Sequence, residues 1–399
     1  MTLTKGQKQF LDMALSGKNI FLTGKAGTGK SFIIDEFVKR CKKNVAKLGT
    51  TGIAATNIGG QTVHSFFGIT PFEVYDGRNA KSLTRKKREI IQKTDVVIID
   101  EVSMLRVDVL DAINGTMLLN GCGYLSKKQI IFVGDLKQLP AIQTGKESKM
   151  IRDRYKSYLF HDSKCYPYLN VKNIELTEIK RQSDERFITA LNAIREGRKD
   201  SYFKKFVSKT PNNGVILAPH NSTVDKYNKD ELKKLKGELY ILQAEISGQI
   251  NPKDYPVDEE IYVKNGAKIM YCKNDKENGL INGSIGTLKI ISGCFYFCNE
   301  WDDVLIEKHT FENQKYVIEK IEKEDEEGNV YYVEELKLKK VGEMKQYPIK
   351  LAYALSIHKS QGMTFNEVTV DISKRCFAPG QLYVALSRCS TPDELKIII

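Results

Sequence analysis

The sequence predicts an α/β fold: two parallel-sheet domains, with a small insert in the first and an all-β insert in the second. Three observations predict it. Short continuous apolar runs alternate with amphipathic stretches through the first 175 residues. A second rhythm of the same kind begins near residue 176. Between 240 and 345 the texture changes to short strands separated by turns. Runs that are apolar on both faces read as central parallel strands, covered on each side by helices.

Taken in order, NIFLTG (19–24), DVVIID (95–100) and QIIFVGD (129–135) are the central strands of the first domain. SFIIDEFVKRCKK (31–43) has helical spacing at Phe32, Ile33, Phe37 and Cys41. Residues 66–94 break the rhythm with Pro71, Gly77 and the basic stretch RKKRE (85–89), so they are assigned to an insert. That basic stretch reads equally as a solvated helix face. NIELTEIKRQ holds a strand and a turn. DERFITALNAIREG is an amphipathic helix that Gly197 can end. VILAPHN (215–221) is a strand, followed by a helix capped near Ser222 or Thr223. The segments EIYVKNGAKIMYC to NVYYVEELKLKK look like a small all-β barrel. The expected boundaries are 1–65 with 95–175, the insert 66–94, then 176–238 with 346–399, and the β insert 239–345.

The 399 residues suffice for two or three domains. With 62 basic against 50 acidic residues the chain carries +12, which favours polyanionic partners, nucleic acid first among them. The eight cysteines are scattered without a C-x-x-C pair. Cys294 and Cys298 in CFYFC read as core thiols on one strand face rather than metal ligands. A reducing compartment fits. The start TLTKGQKQ is polar, and no apolar run reaches the roughly 18 residues of a membrane span. The expectation is a cytoplasmic protein without a membrane partner, nucleoid-associated if the source is bacterial.

GKAGTGKS (24–31) satisfies G-x-x-x-x-G-K-[ST] between an apolar strand and an amphipathic helix, the context this phosphate loop needs. Gly24, Ala26, Gly27, Thr28 and Gly29 turn backbone N–H groups toward a phosphate, and the helix start adds partial positive charge. Lys30 is expected on the β- and γ-phosphates and Ser31 on Mg²⁺. VVIIDE (96–101) adds Asp100 for the Mg²⁺ shell and Glu101 to polarise the attacking water. The cofactors implied are ATP and Mg²⁺. These motifs give nucleotide hydrolysis, which many protein classes share.

Further segments, in order from Leu3 to Ile398, resemble the motifs of superfamily 1B helicases, and in particular the petite-integration-frequency (Pif-type) family. That resemblance implies two RecA-like domains, an SH3-like β insert and a wedge at 66–94. LTKGQ (3–7) is similar to the family's adenine-reading segment, which gives Gln7 that role; a plain helix-start glutamine is the other reading. TTGIAATNIGGQTVHSFFGI (50–69) looks like its strand-contacting segment. On this likeness Thr51, Thr62, His64 and Phe66 lie on the path of single-stranded DNA, while Phe67 reads as core. VGDLKQLPAI (133–142) resembles the coupling motif, with Gln138 sensing the γ-phosphate and Asp135 supporting the Mg²⁺ shell. The family more often has Pro-Pro where Pro140-Ala141 stands, and Gly-Gly where this chain has KKQ.

LTEIKRQ (176–182) and LYVALSRCS (382–390) place Arg181 and Arg388 in the family's two transition-state arginine roles. LAYALSIHKSQGMTF (351–365) is the most specific likeness: His358, Lys359 and Ser360 on the strand, Gln361 and Gly362 on the nucleotide. Asn282-Gly283 reads as a turn. His161, His220 and His309 receive no role. The resemblance implies a monomeric ATP-dependent 5′→3′ DNA helicase acting on single strands and single-strand/duplex junctions. It also implies roles in DNA replication, repair and telomere maintenance. A strand translocase that opens no duplex, a nucleotide-gated binding switch and an RNA substrate are the alternatives the residues leave open.

Overall fold

The computed structural model describes all residues except 1–2, 26, 72, 142–144, 179–183, 276, 300–301 and 325–329. The chain divides into two compact units. One comprises residues 1–136, 140–180 and 314–341; the other comprises 137–139, 181–313 and 342–399.

The first unit is built in chain order from α1 (Lys5–Leu15), β1 (Ile20–Gly24), α2 (Lys30–Arg40), β2 (Val45–Gly49), α3 (Gly52–Asn57), β3 (Gln61–Thr62), α4 (Val63–Phe67), α5 (Arg85–Lys93), β4 (Val96–Asp100), α6 (Val107–Leu119), β5 (Gln129–Val133) and β6 (Lys172–Leu176). Its six strands pair in the order β3-β2-β4-β5-β1-β6, every pair parallel. The apolar runs fill both faces. Ile20, Leu22, Ile98 and Ile131 belong to one core layer, Phe21, Val97, Ile99 and Phe132 to the other. Alternate residues of a strand point to opposite faces, so each layer takes every second side chain.

The sequence reading begins the second rhythm near 176, with the strand of NIELTEIKRQ counted in it. In the structure that strand is β6, paired with β1 along its whole length. Its pattern alone does not reveal which sheet it joins.

The second unit has a four-stranded sheet in the order Ala354–Ser356, Val215–Ala218, Val368–Asp371, Leu395–Ile398, again all parallel. Helix Glu185–Arg195 forms where expected, and Gly197 follows it at φ +77°. Helix Asn221–Lys234 starts earlier than expected: its N-cap is His220, and Ser222 and Thr223 lie within its first turn. Strand Ile349–Leu351 pairs with Lys268–Tyr271 in a five-stranded antiparallel sheet. The parallel rhythm therefore resumes at 354, later than the expected 349.

The β insert is all-β as expected, but its long strands His309–Glu324 and Val330–Gln346 do not stay together with it. Residues 314–341 count with the first unit, and several side chains tie them to it. Tyr316 is buried, with its ring 5.6 Å from that of Phe66 in a T-shaped contact. Its hydroxyl accepts from Lys47 N at 2.7 Å. Leu336 N donates to Asn44 Oδ1 at 3.0 Å, and Lys93 pairs with Glu334 at 2.6 Å.

Tyr316→Ala is expected to cost about 3 kcal/mol, from the lost aromatic and the cavity it leaves. Tyr316→Phe should cost less, about 1–2 kcal/mol, for the hydroxyl's bonds to the Lys47 N–H and carbonyl. Urea unfolding of the two variants checks the order, and faster amide exchange at Lys47 in both localises the effect.

Candidate nucleotide and strand sites

In the first unit, β4, β5 and β1 are neighbours, so the residues that follow their carboxyl ends share one edge of the sheet. Those residues are the acid pair, the Gly134-Asp135 step and the phosphate loop. Gly134 N donates to Leu22 O at 3.1 Å, which locks the β5 exit against β1.

The loop is a backbone cradle. Gly27 and Gly29 both have φ +81°, the left-handed region open to glycine, and Gly29 caps α2. A Cβ on Gly24 would lie 2.6 Å from the Leu176 carbonyl oxygen, so β6 closes the loop from behind. Thr28 Oγ1 donates to Lys25 O at 2.9 Å. Lys30 Nζ donates to Gly24 O at 2.8 Å and to Lys25 O at 3.2 Å, which holds the ammonium inside the loop. Ser31 is exposed at the first turn of α2. Ala26 lies outside the described residues.

Asp100 is half-buried at the end of β4 and accepts from Glu101 N at 2.8 Å. Burial pushes its carboxyl above the usual range, against that hydrogen bond and the nearby Lys30 charge. Glu101 sits at φ +53°, which a non-glycine residue adopts only when its surroundings impose it. Thr50 Oγ1 donates to the Glu101 carbonyl at 3.0 Å and helps to impose it. The ATP and Mg²⁺ expectation fits these residues: a cradle that admits no Cβ at Gly24, an ammonium within it, and a carboxylate beside that ammonium. Among the described residues no group of three His, Cys, Asp or Glu side chains could hold a metal. A cation here would share Ser31, Asp100 and phosphate oxygens.

Gln7 is buried in a capping box with Thr4, and its Nε2 lies 2.7 Å from where a Cβ on Gly29 would be. The helix-start reading and a place beside the phosphate loop thus both describe it. Thr51 and Thr62 accept from Ala54 N and Ser65 N as the N-caps of α3 and α4. His64 is held below its ordinary pKa by burial first, then by the Arg106 charge. Phe66 is a correction. It is 2% exposed, clamped between Phe67 and Tyr316, and gives no ring face to a strand.

In the second unit, the turn 357–363 follows strand Ala354–Ser356. Among the described residues, His358 Nε2 and Gln361 Nε2 are buried without a hydrogen-bond partner, which is costly unless something else satisfies them. Ser360 is buried and its hydroxyl donates to Ile357 O at 2.8 Å. Lys359 faces Asp258 at 3.7 Å. Gly362 takes φ +77°. Arg388 is 1% exposed. It donates from Nε to Val384 O at 3.1 Å, from Nη1 to Met363 O at 3.1 Å and from Nη2 to Ser387 Oγ at 3.0 Å. It therefore joins the helix Gln381–Leu386 to the 357–363 turn. Gln138 belongs to this unit, with Gly380 packed so close that a Cβ there would sit 2.7 Å from the Gln138 carbonyl oxygen. Arg181 lies outside the described residues.

One aromatic neighbour of His358 escaped sequence reasoning. Phe377 stacks on it at 5.8 Å and 20°, and His220, given no role above, lies 5.2 Å from the Phe377 ring. Only the exposure of Phe377, 56%, hints at more than packing. No local motif carries it.

A family model described as PIF1-like helicase matches residues 2–205. The chain belongs to the PIF1-like helicase family. "ATP-dependent DNA helicase Pif1" of Campylobacter jejuni is 33% identical, with 97% of this chain and 90% of that one covered. The Danio rerio protein called "ATP-dependent DNA helicase PIF1" is 31% identical over 99% of this chain and 61% of its own length. Crystal structures of Bacteroides sp Pif1 with ADP-AlF4 and of Bacteroides Pif1 bound to ssDNA each match 100% of this chain and 92% of theirs at 29% identity. Their TM-scores are 0.85 and 0.69. The RecA-like parallel-sheet fold of the family is the fold described above.

Lys30→Ala is expected to lower strand-stimulated ATP hydrolysis about 10²–10³-fold, the usual cost of one preorganised charge contact. Phosphate-release kinetics check this, and circular dichroism should show the fold intact. Burial also holds His358 below its ordinary pKa. His64 and His358 are therefore neutral when folded and protonate more readily when unfolded. Their contribution to stability is present above about pH 6.5 and is lost as pH falls below it. His64→Gln with His358→Gln should flatten urea midpoints measured from pH 7.5 to 5.5.

Proposed function

We propose that this family member is an ATP-dependent DNA helicase that moves 5′→3′ on single-stranded DNA and opens duplex at single-strand/duplex junctions. The observation that carries the reading is the pair of chemistries in one chain. One is a phosphate cradle with Lys30 and an acid pair. The other is a turn with two buried, unsatisfied polar nitrogens, at His358 and Gln361. The curated relatives named as ATP-dependent DNA helicases support it.

In this reading Lys30 exchanges its loop carbonyls for β- and γ-phosphate oxygens. Glu101, aimed by its imposed backbone conformation, orients the attacking water and accepts its proton. Ser31 and Asp100 hold Mg²⁺, which when bound supplies positive charge to the phosphates. Gln7 reads the adenine edge through Nε2, because its carbonyl already accepts from Thr4 N. Arg181 and Arg388 stabilise charge in the transition state, and Gln138, Gln361 and Gly362 report the nucleotide state. Thr51, Thr62, His64, His358, Lys359 and Ser360 contact the strand, and the +12 charge strengthens the hold on phosphates. We assign 66–94 to a wedge and 239–313 to a strand guide, and take the protein to act as a monomer in the cytoplasm or on the nucleoid.

Unwinding of forked substrates with only a 5′ or only a 3′ single-stranded tail tests the polarity. Only the 5′-tailed duplex is expected to open. Opening of the 3′-tailed one alone overturns the direction. Strand-stimulated ATPase with neither duplex opened would mark a translocase instead.

A further inference from the structure

Glycine in a helix interior weakens the helix and calls for a packing reason. Gly115 in α6 has one. A Cβ there would lie 2.0 Å from the Tyr75 hydroxyl, so the phenol rests directly on the helix backbone. Tyr75 N donates to Asp108 Oδ2 at 2.9 Å, which anchors its segment to the same helix. One turn on, the buried Asp111 carboxylate accepts from the Tyr155 hydroxyl at 2.9 Å, Lys164 N at 3.1 Å and Cys165 N at 2.9 Å. Two separate stretches of chain are thereby fixed opposite Tyr75.

Between these walls lies a cavity of about 720 Å³, bordered also by Leu118, Tyr124, Tyr168 and Leu169. It contains none of the residues assigned above to nucleotide or strand. Its size falls within the ordinary range of ligand sites. Its apolar rim is open to solvent: Tyr168 is 79% exposed, Tyr124 57% and Leu118 41%. At the rim, Arg154 Nη1 donates only to the Tyr75 carbonyl at 3.3 Å, and the Lys164 ammonium lies 5.8 Å from the Tyr155 ring centre. Neither makes a direct ion pair among the described residues, although the Arg154 charge acts on the Asp76 carboxylate of the same rim. The acidic groups are already engaged: Asp111 by its three donors, Asp76 by Arg78 N and Asn79 N. The Asn114 carbonyl, which could read a base edge, accepts from Leu125 N at 3.0 Å. The site thus offers apolar aromatic walls and two unpaired cations.

We infer that this cavity docks an acidic peptide segment of a partner protein, with an aromatic side chain among the tyrosines and carboxylates on Arg154 and Lys164. Aromatic anchors flanked by arginine are what concentrate binding energy at interfaces, and charge-assisted hydrogen bonds set the orientation.

The test is fluorescence anisotropy of the full chain with a fluorescein-labelled hexapeptide, Asp-Gly-Asp-Gly-Asp-Trp. Matched peptides replace Trp by Ala, or each Asp by Lys. Saturable binding of the first peptide is expected, weakened at least about tenfold by either peptide change, by Tyr168→Ala and by Arg154→Ala with Lys164→Ala. Strand-stimulated ATPase should be unchanged in these variants, which shows that they are folded. No saturable binding, equal affinity for the Ala peptide, or affinity unmoved in both variants overturns the inference. Full displacement by an unlabelled single-stranded oligonucleotide also overturns it, because it assigns the cavity to nucleic acid.

Discussion

The adjacency of β4, β5 and β1 is the constraint from which the nucleotide chemistry follows. In a parallel sheet every strand delivers its carboxyl end to the same edge, so three segments far apart in sequence meet without long loops. The phosphate loop, the Gly134-Asp135 step and the acid pair are the direct exits of those three strands. Because the strands are buried on both faces, their register is tightly specified, and the positions of Lys30 and Asp100 inherit that rigidity.

The second sheet repeats the logic with other residues. Its strand Ala354–Ser356 exits into a turn that leaves His358 and Gln361 with polar nitrogens buried and unmet. Proteins seldom leave such atoms unmet, so their clustering in one turn points to a ligand more strongly than the motif alone. The Phe377 ring stacks on His358 from outside that turn, and His220 packs on Phe377 in its turn.

The phosphate loop, the acid pair and the strands that carry them were legible in the sequence, because each is a continuous run with its own local signature. What could not be read were relations between distant segments. β6 resembles any amphipathic strand, and only pairing shows that it closes the first sheet. Phe66 sits in a segment rich in hydroxyls and looks like a stacking face. Tyr316, 250 residues later, covers it. The two long strands after 309 carry no mark that their middle part packs on Lys47 and Asn44. Each miss is a tertiary contact overriding a local pattern.

Arg388 carries a consequence for how force is transmitted. Its guanidinium is tied to three carbonyls and a hydroxyl spread over a helix and the turn beside it. A planar fork anchored at several points resists rotation in a way that a single ammonium cannot. Helix and turn consequently behave as one stiff crank. A displacement of either is therefore carried directly to the other.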